Sequence, residues 1–158
     1  MEFSVKIEIK APRTAVFEKL ADPRFFATCI DGVSDLKEVD PTHYTAVMEM
    51  RVAYIRFKFN ILVEIADSVA PHRIVAKSEG TPVGVVGRLT STATTTLTES
   101  AGITTVAYVI DVGLTGKLGS MGQPVLRSKA KELERQFAAN LKAAFESGTQ
   151  RQESHEPI

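Results

Sequence analysis

Catalysis or metal binding in a small protein would start from cysteine, histidine and paired carboxylates, and this chain has few of them in useful places. The histidines are His43, His72 and His155, and the single cysteine is Cys29. None of these has ligand spacing to another, so no metal site is expected. As a nucleophile Cys29 would need a base beside it, and a buried structural thiol is the expectation. No G-x-S-x-G or phosphate loop occurs, and GVVG at 84–87 is too short to cradle a phosphate. Read as alternating strands, the sequence points Glu49, Glu64, Asp111, Lys58 and Arg88 away from the apolar set. No acid–base pair is then aimed inward from the strands. The polar groups left on the inner face are the hydroxyls of Tyr44, Tyr54, Ser78, Ser91, Thr95 and Tyr108. Hydroxyls orient a neutral ligand's carbonyl or hydroxyl but catalyse little unaided. With Met48, Met50 and Met121, which adapt to irregular apolar shapes, they describe a lipid pocket better than an active site. The same side chains would also fill a solid core, and alternation leaves both options open.

The elements that must aim these groups follow from periodicity. Phe3, Val5, Ile7 and Ile9 alternate with polar residues, predicting a first strand. Val16, Phe17 and Leu20 have helical spacing, and Asp22-Pro23 has the form of an N-cap with proline at the first helical position. Two short helices broken at Ala21-Asp22 are expected. Strands follow: 33–39, a turn at Asp40-Pro41-Thr42, a strand with Tyr44, Ala46, Met48 and Met50 on one face, and one with Phe57, Phe59, Ile61, Val63 and Ile65. The last two almost touch, so they form a hairpin or one continuous ribbon with a tight bend near 53–55. Ile74, Ala76 and Ser78 lie on the next strand, and 80–84 reads as a turn or loop. Leu89, Ser91, Ala93, Thr95 and Leu97 then alternate with threonines, whose β-branched side chains suit a wet strand face. After a turn at Ala101-Gly102, Val106, Tyr108, Ile110, Val112 and Leu114 make the last strand.

The only long stretch of clean helical periodicity is 118–146. Leu126, Ala130, Leu133, Phe137, Leu141 and Phe145 form one stripe, with Arg127, Lys129, Lys131, Glu132, Glu134, Arg135 and Lys142 on the other faces. Ser120 and Gln123 suggest a capping box with Pro124 in the first turn, while a start at Thr115 or Gly116 with a kink at Pro124 is the other reading. Gly148 suits a left-handed stop. Glycines 113, 116, 119 and 122 mark a thin entrance to the helix, where ligand or backbone approaches closely, or a flexible connection. From 120 to 146 the helix spans about 40 Å and needs a large apolar partner. The apolar face of a curved antiparallel sheet of about seven strands is the partner available. The fold class is α+β, a single domain over 1–148 with a polar tail, 149–158, expected to be disordered.

The chain has 158 residues with Lys+Arg 19 against Asp+Glu 19, so no net charge draws it to nucleic acid or to anionic lipid. Arg51, Arg56 and Lys58, and separately Arg127, Lys129 and Lys131, form either a local patch for a partner or membrane, or solvated faces. The alternating N-terminus lacks a signal peptide's apolar run, and no apolar run approaches about 20 residues. A cytoplasmic location is expected.

Several local sequences together resemble the helix-grip fold of the START-like, birch-allergen-like superfamily, and more narrowly the CoxG family, the G subunit of carbon monoxide dehydrogenase. They are Ala11-Pro12, Val16-Phe17-Glu18-Lys19-Leu20-Ala21-Asp22-Pro23, Cys29-Ile30-Asp31-Gly32-Val33, Phe57-Lys58, Gly116-Lys117-Leu118-Gly119 and Gly122-Gln123-Pro124. The resemblance implies a non-catalytic accessory protein that assists a molybdenum-containing dehydrogenase at the membrane, with a hydrophobic cavity between sheet and helix. With that reading go the expectations of a lipid or quinone-like ligand, whose tail needs apolar burial and whose carbonyls need hydroxyl donors, no cofactor, no nucleic acid in view of the zero net charge, and at most peripheral contact with the inner face of the membrane; a homodimer is left open. The candidate ligand-binding residues are Tyr44, Met48, Met50, Phe57 and Phe59, then Ile74, Ser78, Ser91, Ala93, Tyr108 and Ile110 on the later strands. From the helix come Leu118, Met121, Gly122, Val125, Leu126, Leu133 and Phe137. A cyclase- or hydratase-type enzyme in the same fold, or an adaptor with a filled core, are the alternatives.

Overall fold

The computed structural model describes the backbone of residues 1–52 and 55–155, and side chains at all of these except 52, 55, 121, 122 and 146–155. Strand β1 (Glu2–Ile9) leads through Pro12 into helix α1 (Arg13–Ala21), and α2 (Pro23–Thr28) follows directly. The expected break at Ala21-Asp22 is present: Asp22 adopts extended backbone and its Oδ1 accepts the Arg24 N–H at 3.0 Å, capping α2 with Pro23 behind it. Helix α1 lacks a local cap, and Glu99 of a distant strand accepts the Arg13 N–H instead.

Six further strands follow: β2 (Val33–Asp40), β3 (His43–Val52), β4 (Ile55–Val69), β5 (Arg73–Pro82), β6 (Gly87–Ser100) and β7 (Ile103–Thr115). They form one antiparallel sheet in the order β1-β7-β6-β5-β4-β3-β2, so each strand from β2 to β7 pairs with its chain neighbour and β1 closes against β7. Register shifts in β2 and between Ile65 and Asp67 in β4 interrupt the ladder locally, the feature that lets a sheet bend. Alternation holds along the strands: Ile7 and Ile9 are buried between exposed Lys6, Glu8 and Lys10. The threonines of β6 mostly face outward, except Thr95, which is buried. Of the stretch 80–84, the strand continues as far as Pro82, and only Val83 and Gly84 belong to the loop. Gly80 pairs with Leu89 on one side and Ile61 on the other, and at the strand's end Pro82 needs no ladder N–H.

Helix α3 runs Gly116–His155 with Pro124 inside it, so the earlier of the two expected starts is the real one. The capping box does not form, because Ser120 lies a turn inside the helix and its hydroxyl donates to the Lys117 carbonyl at 3.1 Å. Gly148 does not stop the helix either, which continues through it as far as His155. One glycine in a helix costs only about 1 kcal/mol, and the Gln, Arg and Glu that follow are good helix formers. Gln136 exchanges hydrogen bonds with Asp31, and Asn140 donates to the Cys29 carbonyl at 3.0 Å, clipping α3 to the end of α2.

The packed interior is divided. One cluster joins Ile7, Ile9, Val16, Phe17, Leu20, Cys29, Leu97 and Val106 to Phe137 and Leu141 of α3. A second, at the other end of α3, joins Phe57 and Phe59 to Leu118, with Met50, Leu89, Leu114 and Val125 around them.

Candidate ligand cavity

Between the two clusters the sheet and α3 stand apart, enclosing a cavity of about 390 Å3. Its floor is the inner face of β3 to β7, because inward alternation on five consecutive strands brings every second side chain to one surface. Tyr44, Met48 and Met50 come from β3, Phe57 and Phe59 from β4, Ile74 and Ser78 from β5, Ser91 and Ala93 from β6, and Tyr108 and Ile110 from β7. Leu118, Val125, Leu126, Leu133 and Phe137 of α3 form the roof. All the candidate residues with described side chains therefore share one cavity wall; the side chains of Met121 and Gly122, and Tyr54 altogether, lie outside the described residues.

Other lining residues were not in the candidate set, among them Phe26 of α2 and Ile30 just after it, Val33 and Leu36 of β2, Phe3 and Val5 of β1, and Glu134 of α3. The first group depends on α2 folding over the end of the sheet, which no local spacing reveals. Glu134 corrects the assignment of that residue to an outer face. It lies four residues after Ala130 and three before Phe137, so it belongs to the apolar stripe, which is about 100° wide and broader than one row of side chains. A charged residue at a stripe position was the available signal.

Tyr108 sits at the centre of an aromatic group. Its ring stacks on Phe137, with centroids 5.5 Å apart and planes at 27°, and Phe26 packs tilted against both at 6.2 and 5.4 Å. Nothing among the described residues hydrogen-bonds its hydroxyl. Burial pushes that phenol up to about 12. Thr95 pairs across the strands with Tyr108, and Ser78 with Ser91, so the floor carries two hydroxyl pairs in an otherwise apolar surface. Tyr44 has its hydroxyl engaged, donating to the Pro41 carbonyl at 3.1 Å.

The strand carboxylates expected to face outward do so, and Glu49 is exposed. Glu64 pairs with His43, and Asp111 is 74% exposed near the N-terminal amine. Cys29 is buried, and burial raises its thiol pKa, which makes it a poor nucleophile. Among the described residues no group of His, Cys, Asp and Glu is placed to hold a metal ion. Of the two readings of the glycine row, close backbone approach is what Gly116 and Gly119 show. A Cβ at Gly116 would lie 2.9 Å from the Gly87 Cα and one at Gly119 would lie 3.0 Å from the Leu114 carbonyl oxygen.

Comparison with known proteins identifies the family. The family model for CoxG, the G subunit of carbon monoxide dehydrogenase, matches residues 6–146. The chain belongs to the CoxG family. The fold recurs in solved structures, among them a conserved protein from Geobacillus kaustophilus (TM-score 0.77, 24% identity, covering 93% of this chain and 96% of that one). A START superfamily protein from Mycobacterium smegmatis matches with TM-score 0.69 and 11% identity over 92% of this chain and 97% of its own. The di-domain ARO/CYC BexL from the BE-7585A biosynthetic pathway matches with TM-score 0.60 and 19% identity over 90% of this chain and 48% of its own. No curated protein matches the sequence. These neighbours establish this CoxG member as a helix-grip, START-like α+β domain. Among the described residues no helix is long and apolar enough to cross a membrane.

Proposed function

We propose that this CoxG protein is a non-catalytic accessory that holds a lipid or quinone-like molecule between sheet and α3 and assists a molybdenum-containing hydroxylase at the inner membrane surface. The observation that carries the reading is the cavity itself: about 390 Å3, walled mainly by apolar side chains, with a few hydroxyls on its floor. That falls within the roughly 300–1,000 Å3 of small-molecule sites. Burying a long tail contributes about 25 cal/mol per Å2, while a head carbonyl needs donors such as Tyr108, Thr95, Ser78 or Ser91. The family name supplies the carbon monoxide dehydrogenase system as the setting. Native purification followed by mass spectrometry of the extracted small molecules tests the reading, with thermal melts in the presence of short-tailed quinones beside it. Co-purifying amphiphiles and a raised melting temperature are expected; an empty extract together with unmoved melts would sink it.

Glu134 supports a second reading, a cyclase-type enzyme, because it puts one carboxylate on the cavity wall of a fold shared with an ARO/CYC protein. The pairing is a poor one for acid–base work. A phenol with a pKa of about 12 holds its proton at neutral pH, and no second carboxylate among the described residues lines the cavity. The binding reading is therefore preferred.

A further inference from the structure

From the placement of Glu134 one helical turn before Phe137, on which the Tyr108 ring stacks, with all three lining the cavity, we infer that the cavity selects an amphiphile whose uncharged head donates a hydrogen bond, with Glu134 as acceptor and Tyr108 as second contact. This rests on the ligand-binding reading above. Phe137 stacks on the Tyr108 ring, and Glu134 precedes Phe137 by three residues on the same helix, one turn away on the same face. Both polar groups line the cavity, and neither has a hydrogen-bond or ion-pair partner among the described residues. Nearby on α3, Lys129 pairs with Glu132 at 3.0 Å and Gln136 with Asp31, so neither of these neighbours pairs with Glu134.

The chemistry of the two groups is complementary. An ionised carboxylate only accepts, whereas a phenol both donates and accepts. Burial keeps the Tyr108 phenol protonated through the physiological range, so its donor is always present. A hydroxyl head satisfies both at once, donating to Glu134 and accepting from Tyr108. An ether head has no proton for Glu134 and leaves it facing another acceptor. A carboxylate head brings a like charge to it, which a partly apolar site penalises further. The cavity is thereby biased toward hydroxyl-bearing amphiphiles, such as the reduced dihydroxy form of a ring whose oxidised form carries only carbonyls.

One tail with three heads tests this: displacement of bound Nile red by 1-dodecanol, dodecyl methyl ether and dodecanoate, each below its aggregation limit. In the unmodified protein dodecanol is expected to bind about tenfold more tightly than either of the others, the worth of one hydrogen bond to a charged acceptor. Glu134→Met should bring alcohol and ether within about twofold, and Tyr108→Phe, which removes a donor that either head oxygen accepts from, should weaken both severalfold while leaving the preference for the alcohol. Glu134→Gln removes the charge and adds an amide donor, so it should narrow the gap between alcohol and carboxylate and, because the amide N–H can donate to an ether oxygen, the gap between alcohol and ether as well. Circular dichroism melts verify that each variant folds. Equal binding of alcohol and ether by the unmodified protein, or a preference that survives in Glu134→Met, overturns the inference and leaves the binding reading standing. Failure of Nile red and all three probes to bind overturns both.

Discussion

His43 illustrates how much a side chain's role depends on where the turn beside it places its neighbours. In β3 its Nδ1 meets Asp40 Oδ1 at 2.8 Å across the β2–β3 turn, and its Nε2 meets Glu64 Oε2 of β4 at 3.2 Å. The hydrogen bond to Asp40 is the main cause that raises the histidine pKa above its ordinary 6.5, and the same bond lowers that of Asp40. A raised histidine pKa contributes stability that is complete below the unfolded value of about 6.5 and is lost as pH rises through the folded value. The lowered Asp40 contributes in the opposite sense, fully above its ordinary value and less as pH falls through its folded one. Melting temperatures of the natural protein and His43→Gln are thus expected to differ most between about pH 5 and 6.5 and to converge above about pH 8. A difference that grows toward alkaline pH would contradict the assignment. The outward-facing ends of this cluster explain why three ionisable groups within hydrogen-bonding distance supply no chemistry to the cavity.

At the scale of elements, the seam between the β5–β6 loop and the start of α3 fixes where the roof begins. Leu118 donates its N–H to the Val86 carbonyl at 3.1 Å, and Gly87 and Gly116 meet as an isolated bridge. Both glycines have positive φ, 145° at Gly87 and 67° at Gly116. A Cβ on Gly87 would collide with the Thr115 carbonyl and lie 2.7 Å from the Leu118 Cβ. Gly87→Ala is therefore expected to destabilise the fold by about 2–3 kcal/mol, combining backbone strain with displacement of Leu118. Gly84, also at positive φ but with open space around it, should cost less on the same substitution, and urea melts of the two variants compare them. This seam shows where the sequence was legible and where it was not. Period-2 alternation gave the strands, and Asp22-Pro23 gave the break between α1 and α2, because both signals are local. The helix start depends on Gly87 lying 29 residues before Gly116, a contact that no local pattern records. Ser120-x-x-Gln123 offered a plausible cap at the wrong turn for the same reason.

Across the whole molecule, the cavity exists because α3 is held to the sheet at two ends and not between them. Phe137 and Leu141 anchor one end in the cluster with Val16, Leu97 and Val106, and Leu118 anchors the other against Phe57 and Phe59. The inner-face residues were legible as a set from alternation, but whether they filled the space depended on the separation of sheet and helix, which composition does not encode. Ala93 is the residue that separates a hollow centre from a packed one. It is flanked across the sheet by Ala76 and Ile110, and all three line the cavity. Ala93→Leu in a filled core would overpack and cost about 1–3 kcal/mol. In the hollow arrangement the new side chain enters open space, so the melting temperature should hold or rise while the ligand loses room. A ligand that binds only the folded state stabilises it by about 2.7 kcal/mol at a hundred times its Kd. For a domain of this size that corresponds to a shift of about 5–10 °C. The natural protein should show that shift with 1-dodecanol, and Ala93→Leu should melt at or above the natural protein's unliganded temperature and barely respond to it. A large drop in the melting temperature of unliganded Ala93→Leu would mean that the floor and roof already touch there, and that α3 packs on the sheet along its whole length.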